Sequence, residues 1–282
     1  MAIFACPDHL DHPEFLNTMP TYHGGRHEYG QNFLNDRTII NDVIALIDDT
    51  DGPIIEIGPG GGALTEPLIR LGRPVTGVEI DSRQVQRLSK KIPEVTLVTG
   101  DFLSYLLPSQ PHVVVGNLPF HITTAVLRKL LHSGSWSHAV LIVQWEVARR
   151  RAGIGGATLM TAQWWPWFTF TVHRRIPGRA FTPSPGVDAG LLTIVRRTSP
   201  LIPTEAGRSY RAFVHAVFTG KGRGIREIVA RILRSRSASV ELKRWLRDTG
   251  LPASVLPKDL AAEQWVELYD LAVDLGWRAQ HK

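Results

Sequence analysis

Five apolar runs of four to six residues recur at intervals of roughly 20 to 25 along the first half of the chain, and each carries a glycine, an acid or an amide at or next to its end. They are PIIEIG (53–58), PVTGVEI (74–80), VTLVTG (95–100), HVVVGN (112–117) and AVLIVQ (139–144). Runs this short and this unbroken suit strands covered on both faces, and the helix-like segments between them supply the cover. The expected class is therefore α/β, with a buried parallel sheet. FTFTVHRRI (168–176) and AGLLTIVRR (189–197) read as two further strands joined by a Pro-rich loop; with no helix between them, they should be antiparallel.

Residues 1–29 are polar and rich in His, Pro and Gly, and read as a flexible tail with no basic-then-apolar leader. Cys6, His9 and His12 lie within it, yet their setting reads as a mobile tail rather than a metal site, and a lone cysteine excludes an internal disulfide. A helix is expected over Thr38–Ile47, where Ile39, Ile40, Val43, Ile44 and Ile47 repeat at helical spacing before Asp48 and Asp49. TSPLIP (198–203) reads as a hinge, and everything beyond it is helical in pattern. The expected organisation is a tail over 1–29, a catalytic domain over 30–200 and a small helical, basic domain over 201–282. No window reaches 18 consecutive apolar residues, so no membrane span is expected. The formal charge of +6 points to an anionic partner, and residues 221–247 carry nine Lys or Arg against two Glu, a local net of +7.

The glycine-rich turn EIGPGGGALT (56–65) follows the first strand and opens a helix. Gly58 and Gly60 let the backbone turn tightly and let a ligand approach the main chain. Glu79, at the end of the second strand, can accept from both hydroxyls of a ribose. Asp101, after the third, can accept from an exocyclic amine. Together they describe an adenosine pocket at the carboxyl ends of parallel strands. The turn alone suits either a nicotinamide dinucleotide or S-adenosylmethionine. Glu56 favours the second, because its carboxylate would repel a pyrophosphate and attract a methionine amino group. Asp101 and Asn117, at successive strand ends, favour it too.

Asn117-Leu118-Pro119-Phe120 ends the fourth strand. The Asn117 side-chain oxygen and the Leu118 carbonyl are two acceptors stiffened by Pro119, and they match the two hydrogens of an exocyclic amine. Accepting both concentrates the nitrogen lone pair for attack on a sulfonium methyl. Phe120 offers a face on which a flipped-out base can stack.

These residues resemble the rRNA adenine-N6 methyltransferases, and most closely the erythromycin-resistance (Erm) family, which modifies large-subunit rRNA. GQNFL (30–34), EIGPGGGALT, VEID (78–81), GDFL (100–103), NLPF (117–120), VQWEVARRRAG (143–153), TAQWWPWF (161–168) and FTPSPGVDAGLL (181–192) follow the family order. The resemblance implies a Rossmann-like class I S-adenosylmethionine-dependent fold with a small C-terminal helical domain. It implies Gln31, Asn32 and Leu34 at the methionine end of the cofactor, with Glu56, Gly58, Gly60, Glu79, Ile80, Asp101, Phe102 and Asn117 along its length. Asn117, Leu118, Pro119 and Phe120 would handle the target adenine, with Phe181 on the base's other face. Trp145, Trp164, Trp165 and Trp167 read as core. Ala189 stands where many relatives carry Ser. Arg149, Arg150, Arg151, Arg174, Arg175, Lys221, Arg223 and Arg226 would neutralise phosphates. The implied partner is 23S rRNA, naked or immature, met in the cytoplasm by a monomer without a protein partner or metal. The sister family that dimethylates small-subunit rRNA, and a non-catalytic RNA- or DNA-binding protein on the same fold, are the alternatives.

Overall fold

A computed structural model describes residues 32–234 and 236–279, so the expected N-terminal tail, Cys6, His9, His12 and Gln31 lie outside the described residues. The chain runs through β1 (Phe33–Leu34), α1 (Arg37–Asp48), β2 (Ile54–Ile57), α2 (Thr65–Ile69), β3 (Val75–Glu79), α3 (Ser82–Lys91), β4 (Thr96–Thr99) and β5 (His112–Asn117). It continues through α4 (Thr123–His132), β6 (Trp136–Gln144), α5 (Trp145–Arg151), α6 (Leu159–Trp164), β7 (Phe168–Ile176), β8 (Phe181–Thr182) and β9 (Ala189–Arg196). Four helices follow: α7 (Gly207–Thr219), α8 (Ile225–Leu233), α9 (Arg236–Asp248) and α10 (Ala262–Asp274).

The main sheet has seven strands in the order β4-β3-β2-β5-β6-β9-β7. The first five are parallel, and β9 enters antiparallel to both β6 and β7. All four residues of β2 and the first five of β5 are buried, whereas the edge strand β4 exposes Thr96 and Thr99. Uniform burial at the centre is what continuous apolar runs require. α1 starts where Asp36 accepts from the Thr38 and Ile39 amides, at 2.9 and 3.3 Å, and presents Ile39, Val43 and Ile47 to the sheet side.

The strand order reverses between β2 and β5. β2 continues outward to β3 and β4 on one side, while β5 and β6 lie on the other. Ligands in open α/β sheets bind outside the carboxyl ends of the strands at such a switch point. The glycine turn and Asn-Leu-Pro-Phe flank it, one after each of the two strands.

The far edge of the sheet and the C-terminal helices share one hydrophobic core. Trp164, Trp167 and Phe168 join Tyr210, Phe213, Trp265 and Tyr269 in a single cluster. Trp167 meets Tyr210 edge to face at 5.7 Å, and the Tyr210 hydroxyl donates to the Ala162 carbonyl at 2.9 Å. Residue 200 thus marks a change of secondary structure across a continuous core. Among the described residues, no helix is long and apolar enough to cross a membrane.

Candidate active site

The turn after β2 depends on backbone that side chains resist. Gly58, Gly60 and Gly62 have φ of 62°, 50° and 85°. A Cβ on Gly62 would fall 2.6 Å from Leu88 Cδ1, whereas one on Gly58 would meet no atom within 4 Å. Gly58 therefore faces open space, as a residue lying under a bound cofactor should. The Gly60 amide donates to Glu79 Oε2 at 2.9 Å and the Asp81 amide to Oε1 at 3.0 Å. The buried Glu79 carboxylate thus ties the β2 turn to the end of β3, and each oxygen keeps a lone pair for a hydroxyl donor. Asp101 is exposed; its Oδ1 accepts from the Leu103 amide at 2.8 Å, which fixes the side chain and leaves the other oxygen for an amine.

Glu56 lies fully within the protein and accepts from the Thr65 hydroxyl at 2.7 Å. Burial pushes its carboxyl up from 4.5 to about 7; the Thr65 hydrogen bond pulls it back and the nearby Glu79 charge pushes it further up. The folded chain therefore holds a proton there that the unfolded chain releases. Stability from this group is full below about 4.5 and is lost as pH rises through about 7. Glu56→Gln keeps an acceptor for Thr65 and removes the charge. Its thermal midpoint without cofactor should match wild type near pH 5 and exceed it at pH 8, by the equivalent of ~3 kcal/mol for a shift of this size. Parallel melting curves for the two proteins from pH 5 to 8 would rule this out.

Asn117 ends β5 opposite Ile142 of β6, and the Leu118 amide donates to the Ile142 carbonyl at 3.0 Å. Leu118 is buried, Pro119 has φ −55°, and a short 3₁₀ turn begins at Phe120. Asn117 Nδ2 donates to the Asn32 carbonyl at 2.7 Å. Only the amide nitrogen can face a carbonyl, so this contact fixes the sense of the amide and leaves Oδ1 as an acceptor. Phe120 is half-buried against the same hydrophobic cluster that holds Leu34 and Phe181.

Residues 32–35 join this loop to the one after β7. β1 pairs antiparallel with β8, matching Phe33 to Thr182 and Leu34 to Phe181. The Asn35 amide donates to the Ala180 carbonyl at 2.9 Å, and Asn35 Nδ2 to the Thr182 hydroxyl at 2.7 Å. The Phe33 ring comes within 3.2 Å of where a Gly60 Cβ would stand. Sequence reading missed Phe33 and Asn35 as positioning residues. The apolar pair Phe33-Leu34 set between Asn32 and Asn35 was the available signal for a short paired strand.

Four of the expected site residues turn their side chains inward. Phe181 is 3% exposed and packed among the buried residues around Leu34. Leu34 and Phe102 turn their side chains into the core as well, so what they can offer a cofactor is main chain. Arg151 turns inward, donates to the Thr158 hydroxyl, and has a buried Nε without a partner. Burial, and then the Arg128 charge, pull its guanidinium down to about 10. Ile80, by contrast, is 48% exposed beside Glu79.

The remaining cations stay at the surface, several with acidic partners. Arg149 pairs with Glu146 at 2.7 Å, Arg174 with Asp42 at 2.5 Å and Arg175 with Asp188 at 2.7 Å. Arg150, Lys221 and Arg223 are exposed and Arg226 is half-buried. Trp164 and Trp167 are buried and Trp165 half-buried, as core residues should be; Trp145 is half-buried with the Arg175 guanidinium 5.5 Å over its ring.

A parallel sheet with a switch point, a left-handed glycine turn, acids at successive strand ends and an Asn-Leu-Pro-Phe loop define a class I S-adenosylmethionine-dependent methyltransferase. The model of the Ribosomal RNA adenine dimethylase family matches residues 22–273. This chain belongs to that family, within its Erm branch. It is 54% identical over 215 residues to an rRNA adenine N-6-methyltransferase of Corynebacterium diphtheriae, covering 76% of this chain and 85% of that one. It is 45% identical over 257 residues to the mycinamicin-resistance protein MyrB of Micromonospora griseorubida, covering 90% and 81%. The 23S rRNA methyltransferase ErmE superposes with a TM-score of 0.79 at 31% identity, over 86% of this chain and 100% of that one.

Proposed function

We propose that the chain methylates the exocyclic N6 of a specific unpaired adenine in the peptidyl-transferase loop of 23S rRNA, and so confers macrolide-lincosamide-streptogramin B resistance. The observation that carries the chemistry is the bond from Asn117 Nδ2 to the Asn32 carbonyl, which leaves Oδ1 as a fixed acceptor at the switch point. The large-subunit target is supported by the likeness to a mycinamicin-resistance protein and to ErmE.

S-adenosylmethionine, when bound, supplies an electrophilic methyl group. Gly58 and Gly60 would lie beneath it, Glu79 would accept from the ribose hydroxyls, Asp101 would accept from the adenine amine, and Glu56, once a bound ammonium draws off its proton, would offer negative charge to the methionine end. Asn117 Oδ1 and the Leu118 carbonyl would accept the two N6 hydrogens of the target, which would draw the lone pair out of conjugation with the ring and leave it free to attack. Once methylated, the nitrogen would release one proton to solvent, so no strongly basic side chain is needed. Phe120 stacks on the flipped base. α8 and α9, with Arg150, Arg174 and Arg175 nearer the sheet, place the RNA through its phosphates. An rRNA substrate supports a cytoplasmic location, and one chain supplies every proposed group, which supports a monomer; the proposed substrate is naked or immature rRNA.

Phe120→Ala should raise KM for the RNA and lower kcat/KM by about 5- to 150-fold, since stacking on one aromatic ring contributes about 1–3 kcal/mol per base. Phe120→Tyr should stay near wild type. Equal kcat/KM for wild type and the alanine variant on an rRNA hairpin would remove Phe120 from the site.

Expression in a macrolide-susceptible bacterium tests the function as a whole. Susceptibility to macrolides, lincosamides and streptogramin B should fall together, and the Asn117→Ala variant should leave it unchanged. An unaltered drug profile with soluble wild-type protein present would contradict the proposal.

A further inference from the structure

Two residues beyond Ile142, the strand partner of Asn117, β6 opens into a cleft of about 320 Å³. Gln144, Trp145, Glu146, Arg175, Val187 and Asp188 line it. It lies at the same carboxyl end of the sheet as the Asn-Leu-Pro-Phe loop, because Gln144 pairs with Ala189 and Arg175 with Gly190. Of these residues only Arg175 has a role above, as a phosphate contact, and none of the chemistry at the methyl group uses the cleft.

The cleft has a built floor. Trp145 lies against Gly190, where a Cβ would come within 3.2 Å of the indole, and its amide donates to the Asp188 carbonyl at 2.9 Å. The Arg175 guanidinium covers the indole at 5.5 Å and is held edge-on by Asp188 Oδ2 at 2.7 Å. Asp188 is itself fixed, since its Oδ1 accepts from the Gly178 amide at 3.1 Å. One guanidinium face is therefore taken, while the Arg175 side chain keeps 60% of its surface exposed. A planar cation held this way is a stacking platform for a nucleobase. Val187, 46% exposed, adds an apolar wall. Glu146 stands at the rim, gripped by Arg149 at 2.8 Å, a contact that holds its carboxyl below the usual range. It is charged and can only accept, and Arg149 leaves part of its acceptor capacity unused.

Building on the rRNA-methylation reading, we propose that this cleft receives the base of a nucleotide flanking the target adenine, stacked on Arg175, and that Glu146 accepts from an exocyclic amine on that base. A base with an amino group is then preferred over uracil, whose one donor, N3–H, sits between two carbonyl oxygens that the carboxylate repels. Glu146 and Arg175 are specificity-determining residues for a second nucleotide, and the strand is read at two adjacent points rather than one.

The test uses the full chain and RNA hairpins that carry the target adenine, with each flanking nucleotide replaced in turn by uridine. Wild type should lose about 10-fold or more in kcat/KM at one flanking position, the scale of one lost base-edge contact. Glu146→Gln can donate as well as accept, so its preference at that position should shrink to within about 2-fold. Arg175→Ala should raise KM on every hairpin, and Arg175→Lys, which keeps the charge without the plane, should not restore it. Wild type that methylates all hairpins equally, or full rescue by Arg175→Lys, would overturn the subsite. No transfer to any hairpin would instead bring down the methylation reading on which it rests.

Discussion

Asn117→Ala should lower kcat by at least 10²- to 10³-fold while the cofactor dissociation constant changes by less than about 5-fold, the scale found when one preorganised partner of a reacting group is removed. Two losses combine in this variant. The target amine loses an acceptor, so its lone pair stays conjugated with the ring. The Asn32 carbonyl also loses the 2.7 Å bond that anchors residues 32–35 beside the loop. Asn117→Asp should be no better, although it keeps an oxygen at the position. A carboxylate cannot donate to the Asn32 carbonyl, and two acceptors face to face repel. Single-turnover methyl transfer at saturating cofactor separates this from a binding defect. A kcat within 3-fold of wild type for either variant would remove Asn117 from the chemistry.

The second large effect is expected on binding rather than on the chemical step. Glu79→Ala leaves the Gly60 and Asp81 amides without their acceptors, at about 1–3 kcal/mol for each buried group, and removes the proposed ribose partner. The cofactor dissociation constant should rise about 100-fold or more, and the thermal midpoint without cofactor should fall by several degrees. Glu79→Gln should also bind weakly, because its amide nitrogen must face one of the two N–H donors. Calorimetric titration with S-adenosylmethionine decides the matter. Affinity within 3-fold of wild type would show that Glu79 shapes the turn without touching the cofactor.

What the sequence made legible was local. The five parallel strands, the glycine turn and the Asn-Leu-Pro-Phe loop are each written in ten residues or fewer, and each falls where its pattern places it. The antiparallel β7–β9 pair was legible from the short Pro-rich connection, but the insertion of β9 between β6 and β7 was not. That choice is made by packing across the whole sheet. The anchor on Asn117 was hidden for a related reason: it is a backbone carbonyl 85 residues away, and a carbonyl leaves no mark in a sequence. Arg151 could have been foreseen. It lies three residues after Ala148, which is buried against the sheet, so the two share one helix face and the third arginine of the run points inward. Phe181 and Leu34 illustrate the opposite difficulty, since an aromatic or aliphatic residue near a site reads the same from sequence whether it lines the cavity or supports it.

The measurement that bears most directly on the account is methyl transfer from labelled S-adenosylmethionine to protein-free large- and small-subunit rRNA, side by side, with the modified nucleotide mapped by primer extension. A single stop in the large-subunit RNA, at an adenine of the peptidyl-transferase loop, is the result predicted here. Label on two adjacent adenines near the 3′ end of the small-subunit RNA, or on neither RNA with the cofactor bound, would contradict it.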